Sequence, residues 1–121
     1  MRRECDDVRS AVGEQNDRRH FRYPVDVPAV LRLPGVAGGI YIITVLDVSK
    51  SGMRVQCPRS LNVGTAVEIR SNNCEVFGEI RYSRPVDKDG FHLGLEASRV
   101  KTRKGFEPEV DLLRLYPVRR V

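Results

Sequence analysis

The short segment RRHFR contains three arginines, Arg18, Arg19 and Arg22, and lies just before the first stretch of alternating apolar and polar residues. A guanidinium can grip phosphate oxygens bidentately, stack its plane on a base, or fork onto O6 and N7 of guanine. The spacing alone is not distinctive, because a second RxxxR occurs at Arg99 and Arg103. The segment therefore indicates either an anion site or a solvated basic edge of a domain.

A carboxylate, a hydroxyl and a glycine follow in DVSKSG, as Asp47, Ser49 and Gly52. A carboxylate at the end of a strand can accept hydrogen bonds from guanine N1–H and N2–H. A serine hydroxyl can contact phosphate or ribose, and a glycine lets the backbone turn sharply or approach closely. The alternative is a tight hairpin in which Asp47 or Ser49 binds turn amides and Gly52 takes a positive φ. Both interpretations can hold at once.

Strands are the elements that must position these residues. Six segments rich in β-branched and aromatic residues are separated by turn residues at intervals of about ten residues, with no helical pattern between them. Their ranges are 25–33, 40–47, 53–57, 66–70, 74–84 and 91–96. Pro28 indicates an edge or bulged position in the first strand, and Gly78 indicates a bulge in the fifth. The pattern predicts an all-β antiparallel barrel or sandwich.

The two ends of the chain have different patterns. Residues 1–17 mix charges of both signs without periodicity and are expected to form a flexible leader. Near the other end, EPEVDLLRLY predicts a short helix whose Leu112, Leu113 and Tyr116 pack on the core. The expected organisation is a leader at 1–17, a barrel domain at 18–97 and a tail with a short helix at 98–121.

Composition limits the function classes. The chain has 121 residues and a net charge of +5, with a sequence pI near 9.4, so it fits one small domain suited to anionic partners. No apolar run approaches the roughly 20 residues that cross a bilayer, and the leader lacks the apolar middle of a signal peptide. These features predict a cytoplasmic protein without membrane insertion.

Catalytic and metal-binding patterns are not found in the sequence. No serine lies in a nucleophile elbow and no glycine loop precedes a helix. The cysteines are odd in number and far apart, and neither His20 nor His92 has ligand-like spacing to any of them. The sequence therefore predicts a protein that is not an enzyme and that has no catalytic residues, no metal site and no cofactor.

Together, RRHFR and DVSKSG resemble the motifs of the PilZ family of cyclic di-GMP receptors, in the same order and one hairpin apart. The resemblance covers about residues 17–97, and LNVGTAVEIR, VFGEIRYSR and FHLGLEA are similar to the later strands of the family. Glu96 departs from the phenylalanine that often follows the glycine and hydrophobic residue of the closing strand. The resemblance implies a six-stranded antiparallel PilZ-type barrel with a flexible N-terminal arm and a short C-terminal helix.

The resemblance also implies roles for the motif residues in binding cyclic di-GMP. Arg18 and Arg22 would engage phosphates and guanine edges or faces, with Arg19 assisting. Asp47 would bind a guanine edge, Ser49 would contact the ligand backbone or hold the loop, and Gly52 would shape the turn. The ordered arginine segment would alter the docking of the leader or tail and so recruit or release a downstream protein, in a bacterial setting.

Two other functions stay open. One is a PilZ-like adaptor that binds protein without nucleotide, although the intact motifs disfavour it. The other is a small basic RNA-binding barrel. Polynucleotide binding is disfavoured because the aromatic residues show no clustered stacking platform in the sequence; those considered are Tyr23, Tyr41, Phe77, Tyr82 and Phe91. The basic residues Arg99, Lys101, Arg103 and Lys104 are interpreted as a solvated connection.

Overall fold

The computed structural model describes residues 21–88 and 90–116. Most of this part of the chain is in strands. The elements are β1 Tyr23–Arg32, β2 Ile40–Val48, β3 Gly52–Cys57, β4 Ala66–Ser71, β5 Cys74–Pro85, β6 Phe91–Thr102, β7 Gly105–Phe106 and the helix α1 Leu112–Leu115. The leader at 1–17, Arg18 and Arg19 lie outside the described residues.

Strands β1 to β6 form a closed antiparallel barrel. The order is β3-β2-β1-β4-β5-β6, and β3 also pairs with β6 to close the sheet on itself. The two-residue strand β7 pairs with the end of β6. Closure gives the main strands partners on both sides, which removes the open edges that a flat sheet would expose. The predicted six-stranded barrel and short C-terminal helix are confirmed.

The core lies inside the barrel because buried apolar side chains alternate with more exposed side chains along the strands. Each of the six main strands contributes at least one fully buried aliphatic side chain. Examples are Leu31, Val45, Val55, Ile69, Val76 and Leu93. In β1, the alternation predicted from Val25 onward is confirmed, since Val25, Ala29 and Leu31 are buried.

Pro28 lies just past a bulge in β1, at a position that pairs with one neighbouring strand only. A register shift separates Pro24 from Val27, where Asp26 has a φ of 58°. Pro28 lies in a part of β1 that pairs with β2 only, because β4 pairs with β1 from Val30 onward. A proline lacks the N–H that a second neighbouring strand would require.

The predicted bulge at Gly78 is also confirmed, although the extra residue lies on β6. Phe77 is opposite Arg99 and Gly78 is opposite Ala97, so Ser98 has no cross-strand partner position. The Ser98 hydroxyl donates to the Phe77 carbonyl at 3.1 Å. This extra residue reverses the facing of β6, so that Val100 points inward and Arg99 points outward.

The last strand is longer, and the helix shorter, than the sequence suggested. Strand β6 continues to Thr102, six residues past the predicted end, and β7 pairs with it. The Glu107 N–H donates to the Val100 carbonyl at 2.8 Å, which holds the chain beside β6 and delays the helix to Leu112. Leu112 and Tyr116 are buried as expected, whereas Leu113 is only partly buried.

Candidate functional site

Asp47 lies near the end of β2, on the outer surface of the barrel. The β2–β3 pairing shifts register between Val45 and Asp47, because β2 has one more residue than β3 at this point. Without that residue, Asp47 would share the inward face of Val45. The shift turns the carboxylate outward and leaves the next residue, Val48, fully buried. Asp47 itself is only 6% exposed, so its charge requires close partners.

Arg54 supplies the first of these partners from β3. It is opposite Asp47 in the register, and its Nε and Nη2 lie 2.9 Å and 2.6 Å from Asp47 Oδ2. Sequence reasoning missed Arg54. The available signal was the alternation in MRVQC, which places Arg54 outward between buried Met53 and Val55, on the strand that follows the motif.

Arg22 supplies the second partner, from the residue before β1. Its Nη1 donates to Asp47 Oδ1 at 3.2 Å. The contact follows from the register, because Tyr23 is opposite Val48 and the preceding chain therefore runs past the end of β2. The structure thus joins Arg22 of RRHFR with Asp47 of DVSKSG, which are 25 residues apart in sequence. Arg18 and Arg19 lie outside the described residues and stay predictions.

Ser49 and Gly52 form the turn between β2 and β3. The Ser49 N–H donates to the Gly52 carbonyl at 2.9 Å, and the Gly52 N–H donates to Ser49 Oγ at 3.0 Å. Ser49 is buried. The hairpin interpretation is therefore correct for the serine, whose hydroxyl binds a turn amide.

The expected positive φ at Gly52 is wrong, because this glycine is not among the residues with left-handed backbone. The structure gives a different reason for a glycine there. A Cβ at Gly52 would lie 3.2 Å from the Leu95 carbonyl oxygen and 3.3 Å from Ser49 Oγ. Close approach of β6 and of the serine hydroxyl, rather than backbone conformation, is what favours the small residue.

His92 lies on the same electropositive surface. Partial burial and the charges of Arg54 and Arg84 hold the pKa of His92 below its ordinary value of 6.5, and Asp47 opposes them. Fewer protonated imidazoles are therefore present at neutral pH than in a free histidine. Arginine side chains outnumber carboxylates among these groups, so the surface suits an anion.

Gly94 makes a gap in the outer surface beside Arg54. It is opposite Arg54 on β3 and opposite Tyr82 on β5. The Tyr82 ring covers it, because a Cβ at Gly94 would lie 2.0 Å from Tyr82 Cε2. The Arg84 guanidinium lies 5.7 Å from the centre of the same ring. An aromatic ring and a third guanidinium group therefore lie near the buried carboxylate, in addition to Arg22 and Arg54.

Groups with metal-binding or redox chemistry are not assembled at this surface. In residues 21–88 and 90–116, no three His, Cys, Asp or Glu side chains are grouped as a metal ion would require. Cys57 and Cys74 are free and buried, and burial raises the pKa of the Cys57 thiol. Within the same residues, no helix is both long enough and apolar enough to span a membrane.

The fold and the site define a class: a small closed antiparallel barrel with an arginine–aspartate cluster at the end of a hairpin. A family model for the PilZ domain matches residues 16–105 of this chain. The chain belongs to the PilZ domain family, whose members are generally cyclic di-GMP-binding domains rather than enzymes. A comparison with curated protein sequences gave no match.

Proposed function

We propose that this protein is a cyclic di-GMP receptor domain that acts by binding and has no catalytic role. The proposed site consists of Arg18, Arg19 and Arg22 from the arm, and of Asp47, Ser49 and Gly52 from the β2–β3 hairpin. The arm residues are positively charged and the ligand carries two phosphodiester charges. Arg54, which lies against Asp47, is added to the site.

The contact between Arg22 and Asp47 is the observation that supports this proposal. Either motif alone has an ordinary structural explanation, as a basic edge or a hairpin. Their contact at 3.2 Å brings a phosphate-binding side chain and a guanine-binding side chain to one place. The Asp47 side chain is 9% exposed, and the two arginines offset the cost of burying its charge.

Ligand binding would exchange one partner of Asp47 for another. Guanine N1–H and N2–H can replace Arg22 as donors to Asp47, while Arg54 keeps its contact with Oδ2. Arg22 is the more exposed of the two arginines, with 41% of its side chain accessible against 31% for Arg54. It is therefore the one that can move onto a phosphate. Ser49 would mainly hold the hairpin, since its hydroxyl already accepts from Gly52.

A contact between the hairpin and the C-terminal helix offers a route to an output. The Leu112 N–H donates to the Lys50 carbonyl at 2.8 Å, and Lys50 lies inside DVSKSG. Leu112 is fully buried, so a shift of the hairpin would move the start of α1 with it. We propose that the ordered arm and the adjusted tail recruit or release a downstream protein in the bacterial cytoplasm, with 18–97 as the receptor unit.

Calorimetric titration with cyclic di-GMP tests the proposal. The native chain should bind, and Arg22→Ala and Asp47→Ala should each weaken binding by roughly tenfold or more, the equivalent of about 1–3 kcal/mol. Arg103→Ala is the matched control, because it removes an arginine from the second RxxxR, outside the site. The proposal is wrong if the folded native chain releases no heat, and the site is wrong if Asp47→Ala binds as tightly as the native chain.

A further inference from the structure

Two phenylalanines and two cations form a cluster at the far end of β6. The rings of Phe77 and Phe106 have centroids 6.0 Å apart. The Arg99 guanidinium lies 5.1 Å from the Phe77 centroid and 4.6 Å from that of Phe106. Lys101 Nζ lies 5.6 Å from the Phe106 centroid. Arg99 and Lys101 are exposed, as the interpretation of a solvated connection requires, but they lie in strand β6 and contact aromatic rings, so they are not part of a connection.

Two acids that flank this cluster form ion pairs with other arginines, although one of them, Glu75, lies opposite Lys101 in the register. Glu75 pairs with Arg70 at 3.0 Å, and Glu107 pairs with Arg114 at 2.7 Å. In the described part of the chain, none of the four cations at the end of β6 and in the turn after it has a carboxylate partner. These four are Arg99, Lys101, Arg103 and Lys104. Their donors are therefore available to an anion.

A groove runs beside the cluster. One cavity of about 540 Å³ adjoins another of about 230 Å³, and both are lined by Asn73, Thr102 and Arg103. Lys104 lines the larger cavity and Lys101 the smaller. Cations line both cavities together with Glu107 in the larger and Glu75 in the smaller, each of which is paired with an arginine. Phe106, which is 52% exposed, lies on the strand that pairs with β6.

We propose that this surface binds single-stranded nucleic acid. A cationic groove can follow a phosphate backbone, while aromatic rings and guanidinium planes stack on bases. Arg99 lies over two rings, which orients its plane in advance, and Phe106 exposes apolar ring surface beside it. An acidic protein segment would need the cations but not this flat aromatic and guanidinium surface. Phe106 and the Arg99 guanidinium supply a stacking surface that was not recognised in the sequence.

This surface is separate from the cyclic di-GMP site. Both use β6, but Gly94 and His92 lie at its first half and Arg99 and Lys101 at its last. Both pairs face outward, because the extra residue Ser98 shifts the outward positions of the strand from even to odd numbers, so distance along β6 separates the two surfaces. Binding of nucleic acid therefore does not depend on the proposed receptor function. Either proposal can be wrong while the other is correct.

Fluorescence anisotropy with a labelled oligothymidine tests the proposal, in the absence of cyclic di-GMP and at low salt. The native chain should bind, and Phe106→Ala should weaken binding at least about fivefold, the equivalent of losing one stacked base. Lys104→Ala should weaken binding and lower the salt dependence, because one phosphate contact is lost. Arg59→Ala is the control: it removes an exposed cation just beyond the β3 end that pairs with the start of β6, and should bind as the native chain does.

Two further probes distinguish stacking from charge alone. An abasic oligonucleotide of equal length should bind more weakly than oligothymidine, and a labelled polyglutamate of equal charge should bind more weakly still. The proposal is overturned if the native chain does not bind the oligothymidine, if polyglutamate binds equally well, or if both Phe106→Ala and Lys104→Ala bind as the native chain does. Thermal unfolding of each variant checks that it is folded.

Discussion

Arg54 and Asp47 are opposite each other on β3 and β2, and two atoms of one guanidinium contact the same carboxylate oxygen. Arg22 reaches the other oxygen from a more exposed position. We therefore expect the Arg54–Asp47 coupling energy to exceed the Arg22–Asp47 coupling energy. Arg54→Ala should lower the free energy of unfolding by about 1 kcal/mol, since both partners are partly shielded from solvent.

Two double-mutant cycles measure these couplings by denaturant unfolding. Each combines Asp47→Ala with either Arg54→Ala or Arg22→Ala, and the single variants are the internal controls. Arg32→Ala, whose exposed ion pair with Glu68 lies on β1 and β4, is expected to change stability by only a few tenths of a kcal/mol. A coupling to Arg22 larger than that to Arg54 would contradict the arrangement described.

The titration of His92 should link ligand affinity to pH. Burial and the charges of Arg54 and Arg84 hold its pKa below 6.5, against the attraction of Asp47. A bound dianion nearby should raise that pKa, so the complex would bind more protons than the free protein. Affinity for cyclic di-GMP should then rise as pH falls from about 8 towards about 6.

Titrations at several pH values check this linkage, with His92→Gln as the matched variant. The variant should lose most of the pH dependence while keeping measurable binding. An NMR titration of the imidazole should give a pKa below 6.5 without ligand and a higher one with it. If His92→Gln keeps the full pH dependence, another group is responsible.

Tyr116 should couple stability to alkaline pH. It is 3% exposed, and burial, with a smaller contribution from Cys74, raises the pKa of its phenol above the usual 10. The unfolded chain would ionise near pH 10 while the native phenol stays neutral. The stability that depends on the neutral phenol is present below that pH and is lost as pH rises above it.

Unfolding in denaturant at neutral pH and above about pH 10 tests this expectation, comparing the native chain with Tyr116→Phe. The variant should lose about 1 kcal/mol at neutral pH, because Ser71 Oγ no longer donates to the phenol oxygen at 3.2 Å. It should then lose less stability than the native chain as pH rises. Equal losses would show that Tyr116 is not the group concerned.

Two glycines of the barrel should differ in their tolerance of a methyl group. A Cβ at Gly78 would lie 2.2 Å from the Glu96 carbonyl oxygen, which is backbone and cannot rotate away. A Cβ at Gly94 would instead meet the Tyr82 ring, a side chain that is only half-buried. We expect Gly78→Ala to cost more than about 2 kcal/mol, and Gly94→Ala to cost less.

Chemical denaturation of both variants provides the comparison, and cyclic di-GMP titration adds a second measurement. Gly94→Ala should displace the Tyr82 ring beside Arg54 and so change ligand affinity more than its stability suggests. Gly78→Ala, where it folds, should bind with nearly native affinity. A larger stability loss for Gly94→Ala than for Gly78→Ala would contradict the packing described.

Alternation of side chains was sufficient to predict the six main strands and the inward face of β1, and an apolar stripe at helical spacing predicted the short C-terminal helix. The bulges limited how much else of the fold and the site could be predicted from the sequence. Arg54 was not assigned to the site because its contact with Asp47 depends on a register shift after Val45 that no residue type marks. Likewise, the extra residue Ser98 reverses the facing of β6, so a pattern that continued from Leu95 would place Arg99 on the inward face.

Of the candidate site, only the residues that belong to the two motifs could be predicted from the sequence. Residue types supplied Asp47, Ser49 and Arg22, and the order of the motifs indicated a common site. The exact use of Ser49 was not predictable, because its hydroxyl suits a turn amide and a ligand equally well. The pairing of Phe77 with Phe106 joins residues 29 positions apart through β6, and therefore needed the strand order to be known.

An NMR titration of the isotopically labelled chain with cyclic di-GMP tests the central claim most directly. The account predicts saturable shifts of the Arg22 and Arg54 side-chain N–H signals and of the amides from Asp47 to Gly52. It also predicts little change at Arg99 and Lys101, which lie at the other end of β6. No saturable shift in the folded chain, or shifts confined to the Arg99 end, would contradict it.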